Sequence, residues 1–476
     1  MENGGGERGA GLRPHIAVLP TPGMGHLFPL AELAKILVSR YHFTATFITF
    51  AVSENKATRD FLSTLPSAIS SVSLPAVPLD DVPPDATIET RMSIVSIRSL
   101  PAIRDVLQEL RSTTNLVAFL ADFFAADSFC IARELGIFYY MFIPTNLQFL
   151  TLMFELPTLH ATVKCPFQEL VEPIKLPGCV PIPGPQILTP LRNRSNDCYR
   201  WMLHHADLYH QAQGILVNSF VAMEPRSAKH LTAGGRAGSH PPVYPVGPMI
   251  QSPSATSPTS LCIKWLDEQP QCSVLFVSFG SGGTLTRRQL GELALGLEQS
   301  GQRFLFVVRS PSDEDSSSTY FTASTRENPL SYLPEGFLER TKDVGLVVPS
   351  WAPQIEVLSH DATGGFLSHC GWNSTLESVS RGVPMIAWPL FAEQSMNALM
   401  LENAARIALR PKAGDDGTFG REEIARVVRE LMEGDGGKEA RNRVKELKAA
   451  AAAALAEGGS SYAALDEVAN KWKGSL

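Results

Sequence analysis

No two of the seven cysteines in this chain form a Cys-x-x-Cys pair, and their number is odd. That scatter excludes a disulfide framework and a paired-cysteine zinc site, and it fits a reducing, cytoplasmic setting. Long apolar runs are missing too. The most apolar region, residues 138–154, is interrupted by Pro144, Asn146 and Gln148, so no membrane span is expected. The opening MENGGGERGAG has no apolar stretch of the kind a secretory leader needs, and it reads as a loose tail. An excess of positive charge is absent: the formal net charge of −7 argues against nucleic acid as a main partner. A third glycine is lacking as well. Gly23-x-Gly25 opens like a dinucleotide loop, but Phe28 stands where the last glycine belongs, which leaves a nicotinamide-dependent oxidoreductase as a weak alternative.

What is present begins with length: 476 residues suffice for two or three domains. Residues 15–20 read as a buried strand, Thr21 to Gly25 as a tight loop, and residues 26–38 as a helix. Residues 43–50, 116–122, 138–143 and 214–219 read as further strands, with helical pattern between them. Such alternation points to a parallel sheet. Residues 241–260 turn rich in Pro, Ser and Thr and read as a linker. A second series then starts with a strand at 274–279, a Gly280-Ser281-Gly282-Gly283 nest able to hold an anion, a Thr286-x-x-Gln289 capping box and a strand at 304–309. Residues 311–328 are polar; the Asp313-Glu314-Asp315 run inside them matches a metal-binding pattern but reads as solvated loop. Helical spacing returns at 421–432, 438–456 and 462–472.

The most informative stretch runs from Trp351 to Gln394, WAPQIEVLSHDATGGFLSHCGWNSTLESVSRGVPMIAWPLFAEQ. Residues 364–367 form a short apolar strand, His369 to Trp372 a turn, and Ser374-x-x-Glu377 a capping box that would start a helix. That helix stops at Arg381-Gly382, and residues 384–388 are the next strand. A helix N-terminus that follows a turn is an anion site, because its N–H groups are free and the dipole is positive there. His369 and Ser374 add side-chain donors, Trp351 offers a flat face to a base, and Gln354 an amide to read its edge. Glu393 and Gln394 follow the last strand, where ligands of open α/β sheets sit, and suit a ring of sugar hydroxyls. Base, diphosphate and sugar together describe a nucleotide sugar. Cys370 beside His369 reads as a small turn residue rather than a nucleophile.

At the other end of the chain, His26 opens a helix after a strand-loop turn. A helix N-terminus disfavours the imidazolium, so a lowered His26 pKa is expected, and a neutral imidazole can accept a proton from a hydroxyl. Asp122 closes another strand, a position that often faces a site.

These residues resemble the plant family 1 UDP-glycosyltransferases. The 351–394 stretch is similar to that family's sugar-donor box over its full length without a gap, and PTPGMGHLFPL, LPGCVP, GILVNSF, YPVGP, VSFGSGGTL and LPEGFLERT extend the likeness, most closely to the phenol-glucosylating branch. The resemblance implies two Rossmann-like α/β domains facing across a cleft (the GT-B architecture). An acceptor domain would span 1–250, a linker 251–260, a UDP-sugar domain 261–456, and a last helix at 457–476 would cross back to the first domain. It implies that Trp351 stacks on uracil while Gln354 and the Ala352 backbone read it, and that Glu377 holds the ribose. His369, Asn373, Ser374 and Ser281 would hold the diphosphate, and Trp388, Glu393 and Gln394 the sugar, with Gln394 favouring glucose; Trp372 would belong to the same UDP-sugar site. It also implies that His26 is the base, supported by Asp122, in an inverting transfer without a metal or other cofactor, by a monomer. Glu89, Phe123, Phe124, Leu147 and Phe154 lie near acceptor-lining positions, where core packing is an equal reading for each. Other readings stay open: Glu377 as cap, Trp351 and Trp388 as core aromatics, Ser281 as a turn residue, aromatic amines or thiols as acceptors, or a nucleotide-sugar-binding protein without turnover.

Overall fold

A computed structural model describes residues 12–53, 55–252, 260–313 and 328–474. The N-terminal tail, most of the expected 251–260 linker and all but the start of the Asp313–Asp315 loop lie outside the described residues.

The first series of strands is β1 (Pro14–Leu19), β2 (Thr44–Thr49), β3 (Ile69–Ser73), β4 (Asn115–Asp122), β5 (Phe138–Ile143), β6 (Ile215–Val217) and β7 (Val243–Pro245). The second is β8 (Val274–Ser278), β9 (Arg303–Val308), β10 (Gly345–Pro349), β11 (Thr363–Ser368), β12 (Met385–Ala387) and β13 (Ala408–Leu409). They form two sheets, ordered β3-β2-β1-β4-β5-β6-β7 and β10-β9-β8-β11-β12-β13. Every pairing in both is parallel. Successive side chains of a strand point to opposite faces, and both faces are covered. In β1, Ala17 and Leu19 enter one core while Ile16 and Val18 enter the other. In β8, Val274 and Phe276 divide from Leu275 and Val277 in the same way. This is why the strands read as unbroken apolar runs.

One expectation is corrected here. The Pro-rich run from 241 does not begin as linker: β7 pairs with β6 and closes the edge of the first sheet.

Six helices position the site: α1 (Met24–Tyr41), α2 (Leu147–Thr162), α3 (Asp197–Tyr209), α4 (Trp372–Arg381), α5 (Gln394–Asn403) and α6 (Ser460–Lys473). The C-terminal α6 lies on the first sheet. Its Trp472 is fully buried, edge-on to Tyr140 at 5.1 Å and to Phe43 at 6.2 Å. Tyr244 donates to Glu467 at 2.8 Å, and Ser461 Oγ to the Gly247 carbonyl at 2.6 Å. Among the described residues no helix is long and apolar enough to cross a membrane.

In each sheet the strand order reverses at one place, between β1 and β4 and between β8 and β11. Loops leaving the carboxyl ends of such a pair diverge and leave a crevice where ligands bind. His26 and Asp122 leave β1 and β4; Ser281 and His369 to Ser374 leave β8 and β11. The two crevices meet. Asn373 Nδ2 donates to the Gly25 carbonyl at 2.9 Å, and Trp372 Nε1 to the Asn218 carbonyl at 2.6 Å.

Candidate active site

The loop after β1 turns at Gly23, whose φ of 128° favours glycine, and α1 starts at Met24. His26 thus falls in the first turn. Its Nδ1 donates to Asp122 Oδ2 at 2.8 Å; the His26 side chain is 14% exposed and Asp122 fully buried. Because a carboxylate only accepts, Nδ1 carries the proton and Nε2 the lone pair.

The expected lowering of the His26 pKa is not what the structure holds. Burial does push it down, but the Asp122 charge, its hydrogen bond and then the Glu393 charge outweigh burial and raise it. Two carboxylates, invisible as neighbours in the sequence, overrule the helix dipole. The Glu393 charge that acts on His26 also places the acid at the N-cap of α5 in the same site as the histidine of α1.

The helix of the donor box starts earlier than the Ser374-x-x-Glu377 pattern predicts. Gly371 is the N-cap, α4 begins at Trp372, and no side chain caps it. The N–H groups of its first turn are therefore left for an anion. Ser374 and Glu377 turn instead to Gln354, which opens the short helix Gln354–Ser359. Gln354 Nε2 donates to Ser374 Oγ at 2.9 Å and to Glu377 Oε2 at 2.6 Å. Burial above all pushes the Glu377 carboxyl up to about 7.

His369 sits between two glycines. A Cβ on Gly280 would lie 2.6 Å from its Cε1, and one on Gly371 would lie 2.4 Å from its Nε2, so both positions require glycine. Burial, then Arg309, pushes His369 down to about 4, so the ring is neutral at pH 7. Its Nδ1 is buried without a partner among the described residues. Ser281 is exposed beside it. Arg309, at the end of β9, donates to the Gly280 carbonyl at 2.9 Å and also to the Ser281 carbonyl.

Trp351 is 71% exposed, against the habit of lone tryptophans, and Ala352 beside it is buried. Trp388 behaves oppositely. It is 2% exposed, edge-on to Phe279 and Phe419, with its backbone N–H bound to the Ser368 carbonyl at 2.9 Å. Its ring is core. Gln394 Oε1 accepts from the Leu390 and Phe391 N–H groups at 2.8 and 3.1 Å, which leaves its Nε2 to offer. Burial raises the Glu393 carboxyl, and Asn397 Nδ2 donates to it at 3.2 Å.

Of the five acceptor candidates, two surround His26: Phe123 and Phe124, with ring centroids 5.6 and 6.4 Å away. Phe149 of α2, not singled out in the sequence, joins them 5.3 Å from Phe123. Leu147 is a fully buried core residue, and Phe154 stacks on His240 at 4.6 Å rather than on His26. Burial and then the Glu89 charge push the Cys198 thiol up, which sets Glu89 beside α3. Asp127, His204 and His205 bring ligand atoms within 4.8 Å of one another, the one such group of metal-capable side chains among the described residues. Two hydrogen bonds of 2.8 Å already engage it, His204 to Asp127 and His205 to Ser93.

Residues 260–447 match the family described as UDP-glucoronosyl and UDP-glucosyl transferase. The chain is also 51% identical to hydroquinone glucosyltransferase of Rauvolfia serpentina over 465 residues, 97% of this chain and 98% of that one. It belongs to the UDP-glycosyltransferase family. Solved glycosyltransferases share the whole architecture. Phytolacca americana UGT2, complexed with UDP-2fluoro-glucose and pterostilbene, superposes with a TM-score of 0.88 at 46% identity, covering 97% of this chain and 100% of that one. A UDP-glucosyltransferase from Polygonum tinctorium capable of glucosylating indoxyl, in a complex with 3,4-dichloroaniline, gives 0.90 at 48% identity, covering 98% and 100%. Two crevices joined edge to edge are thus the GT-B arrangement of UDP-glycosyltransferases. Several polar residues of this glycosyltransferase's site carried no sequence signal, Arg309, Asn146 and Asn397 among them, because each acts through a partner distant in the chain.

Proposed function

We propose that this enzyme transfers glucose from UDP-glucose to a small phenolic hydroxyl, with inversion. The observation that carries the reading is the His26 Nδ1 to Asp122 Oδ2 bond of 2.8 Å, which leaves Nε2 basic among the rings of Phe123 and Phe124. A phenol lying among those rings presents its hydroxyl to Nε2. The proton moves to Nε2, the phenol oxygen bonds to the sugar C1, and the C1–O bond to the diphosphate breaks with its electron pair leaving on UDP. Asp122 stabilises the imidazolium so formed. The negative charge that develops on UDP meets the uncapped start of α4 at Asn373 and Ser374, with His369 and Ser281 beside it. Exposed Trp351 takes the uracil face, Ala352 and Gln354 its edge, and Glu377 the ribose hydroxyls. Glu393 and Gln394 hold the glucose, and Trp388 supports them from the core. In this reading residues 1–250 carry the acceptor and 261–456 the donor, joined by 251–260 and by the tail at 457–476.

The similarity to hydroquinone glucosyltransferase supports a phenol. A second reading, transfer to an aromatic amine, is favoured by the 3,4-dichloroaniline complex of the Polygonum relative. Release of UDP from UDP-glucose, followed with hydroquinone, with 3,4-dichloroaniline and with neither, for wild type and His26→Ala, tests both. Hydroquinone-dependent release by wild type alone supports the proposal. Release with the amine only, unaffected by His26→Ala, supports the second reading.

A further inference from the structure

We infer that Asn146 and Asn397 are positioning residues for sugar recognition, joining the N-terminus of α2 in the first half to the Glu393 carboxylate in the second. The inference rests on the reading of Glu393 as a sugar ligand. Asn146 is the N-cap of α2: its Oδ1 accepts from the Phe149 N–H at 2.8 Å. That bond fixes which way its amide points, so Nδ2 is the group turned outward. It donates to Asn397 Oδ1 at 2.6 Å, across 251 residues of sequence. Asn397 then has its Nδ2 on the other side, where it donates to the Cys370 carbonyl at 2.9 Å and to Glu393 Oε1 at 3.2 Å. Both partners there are acceptors only, so the Asn397 amide cannot flip without setting oxygen against oxygen. Asn146 is 1% exposed and Asn397 fully buried. A buried amide pair with one permitted orientation transmits direction from one end to the other.

The same contact is reinforced on either side. Glu224 accepts from the Leu147 and Gln148 N–H groups at 3.0 and 2.9 Å, and Thr189 N–H donates to the Ala392 carbonyl at 3.0 Å, one residue before Glu393. The sugar carboxylate is therefore aimed by the acceptor half, while the surfaces assigned to uracil and ribose belong to the donor half alone. The consequence is a division of labour. Loosening the amide pair weakens hold on the sugar and leaves hold on UDP intact.

The substitution that isolates this is Asn146→Ser, because serine keeps the α2 cap and its shorter side chain lacks the Nδ2 that reaches Asn397. We expect the KM for UDP-glucose to rise roughly tenfold, as for one lost buried hydrogen bond, with the Ki of UDP changed by less than about twofold. Discrimination against UDP-galactose should fall as well. The control is Glu393→Ala, alone and combined with Asn146→Ser. If Asn146 acts through Glu393, the serine substitution adds nothing to the UDP-glucose defect of Glu393→Ala. Equal effects of Asn146→Ser in both backgrounds, or parallel weakening of UDP and UDP-glucose, would overturn the inference. Should Glu393→Ala itself leave the ratio of UDP-glucose to UDP binding unchanged, Glu393 is not a sugar ligand and it is the underlying reading that fails.

Discussion

Asp122→Asn keeps the shape of the buried acid and removes its charge, so it isolates what Asp122 does for His26. In the wild type, burial acts to hold the imidazole neutral, and the Asp122 charge, its hydrogen bond and Glu393 more than compensate. With His26 as the proposed base, protonated below its raised pKa, the acidic limb of kcat/KM lies above pH ~6.5, the ordinary value for histidine. With asparagine the burial remains while the largest opposing charge is gone, and the limb moves to lower pH. The plateau drops too. A charge-assisted hydrogen bond contributes about 1.5–3 kcal/mol, and if the transition state loses that much as the imidazolium forms, the rate falls roughly 10- to 150-fold. An asparagine that presents its amide N–H to Nδ1 would place the proton on Nε2, a wrong tautomer that deepens the loss. The assay is UDP release with hydroquinone across pH, repeated with a polychlorinated phenol that is already ionised and needs no base. The loss should be large for hydroquinone and small for the acidic phenol. A plateau within twofold of wild type, or a limb that stays in place, refutes the reasoning.

Other predictions follow from the donor side and the tail. The Glu377 carboxyl, pushed up to about 7 by burial, holds two ribose hydroxyls as acceptor-only oxygens when it is ionised, so UDP-glucose should bind up to roughly tenfold more weakly at pH ~6 than at pH ~8. Calorimetry should show that slope in the wild type and none in Glu377→Gln; a flat wild-type profile removes Glu377 from the ribose site. Gly280→Ala puts a Cβ 2.6 Å from His369 at a φ of 70°, which should cost about 1–3 kcal/mol and raise the KM for UDP-glucose. An unchanged melting temperature and KM would contradict that packing. Trp472→Ala deletes a fully buried aromatic between α6 and the first sheet, a loss of about 3–5 kcal/mol readable in urea unfolding. With the start of α4 proposed to neutralise the leaving diphosphate, activity should survive EDTA; abolition by EDTA and rescue by magnesium would show that a metal shares that task.

Much of this protein could be read locally, and what escaped has a physical pattern. The nine strands that the sequence revealed all lie inside the two sheets. The four it did not reveal, β3, β7, β10 and β13, are the four edges. An edge position alone does not hide them: β7 is buried throughout but lies inside a Pro-rich run, and β10 is Leu346, Val347 and Val348 set between Gly345 and Pro349. Three of the five residues of β3 are exposed, and β13 has only two residues. Interior strands of a parallel sheet are buried on both faces, and composition alone betrays them.

The site divides along the same line. The donor box is legible because strand, turn, helix and strand follow one another within a single stretch, so one local pattern contains most of the groups. Even there the helix starts two residues before the local box, at Trp372. Ser374-x-x-Glu377 is a good local box, but Gly371 already has extended geometry, with φ −58° and ψ 140°, and Trp372 gains a buried bond to Asn218 by joining the helix. The box partners then serve Gln354 instead, a tertiary arrangement that leaves the first turn open for an anion. The rise of the His26 pKa leaves no local trace for a related reason. Its helix is local, whereas Asp122 lies 96 residues away and Glu393 in the other half. Asn146 and Asn397 gave no signal at all, since an asparagine before a helix and one within a helix are each unremarkable until the fold sets them 2.6 Å apart. Local pattern thus records the groups assigned to the donor. Their charge state and aim are set by contacts between the halves, and chemistry in this enzyme depends on that docking as much as on the residues of the box.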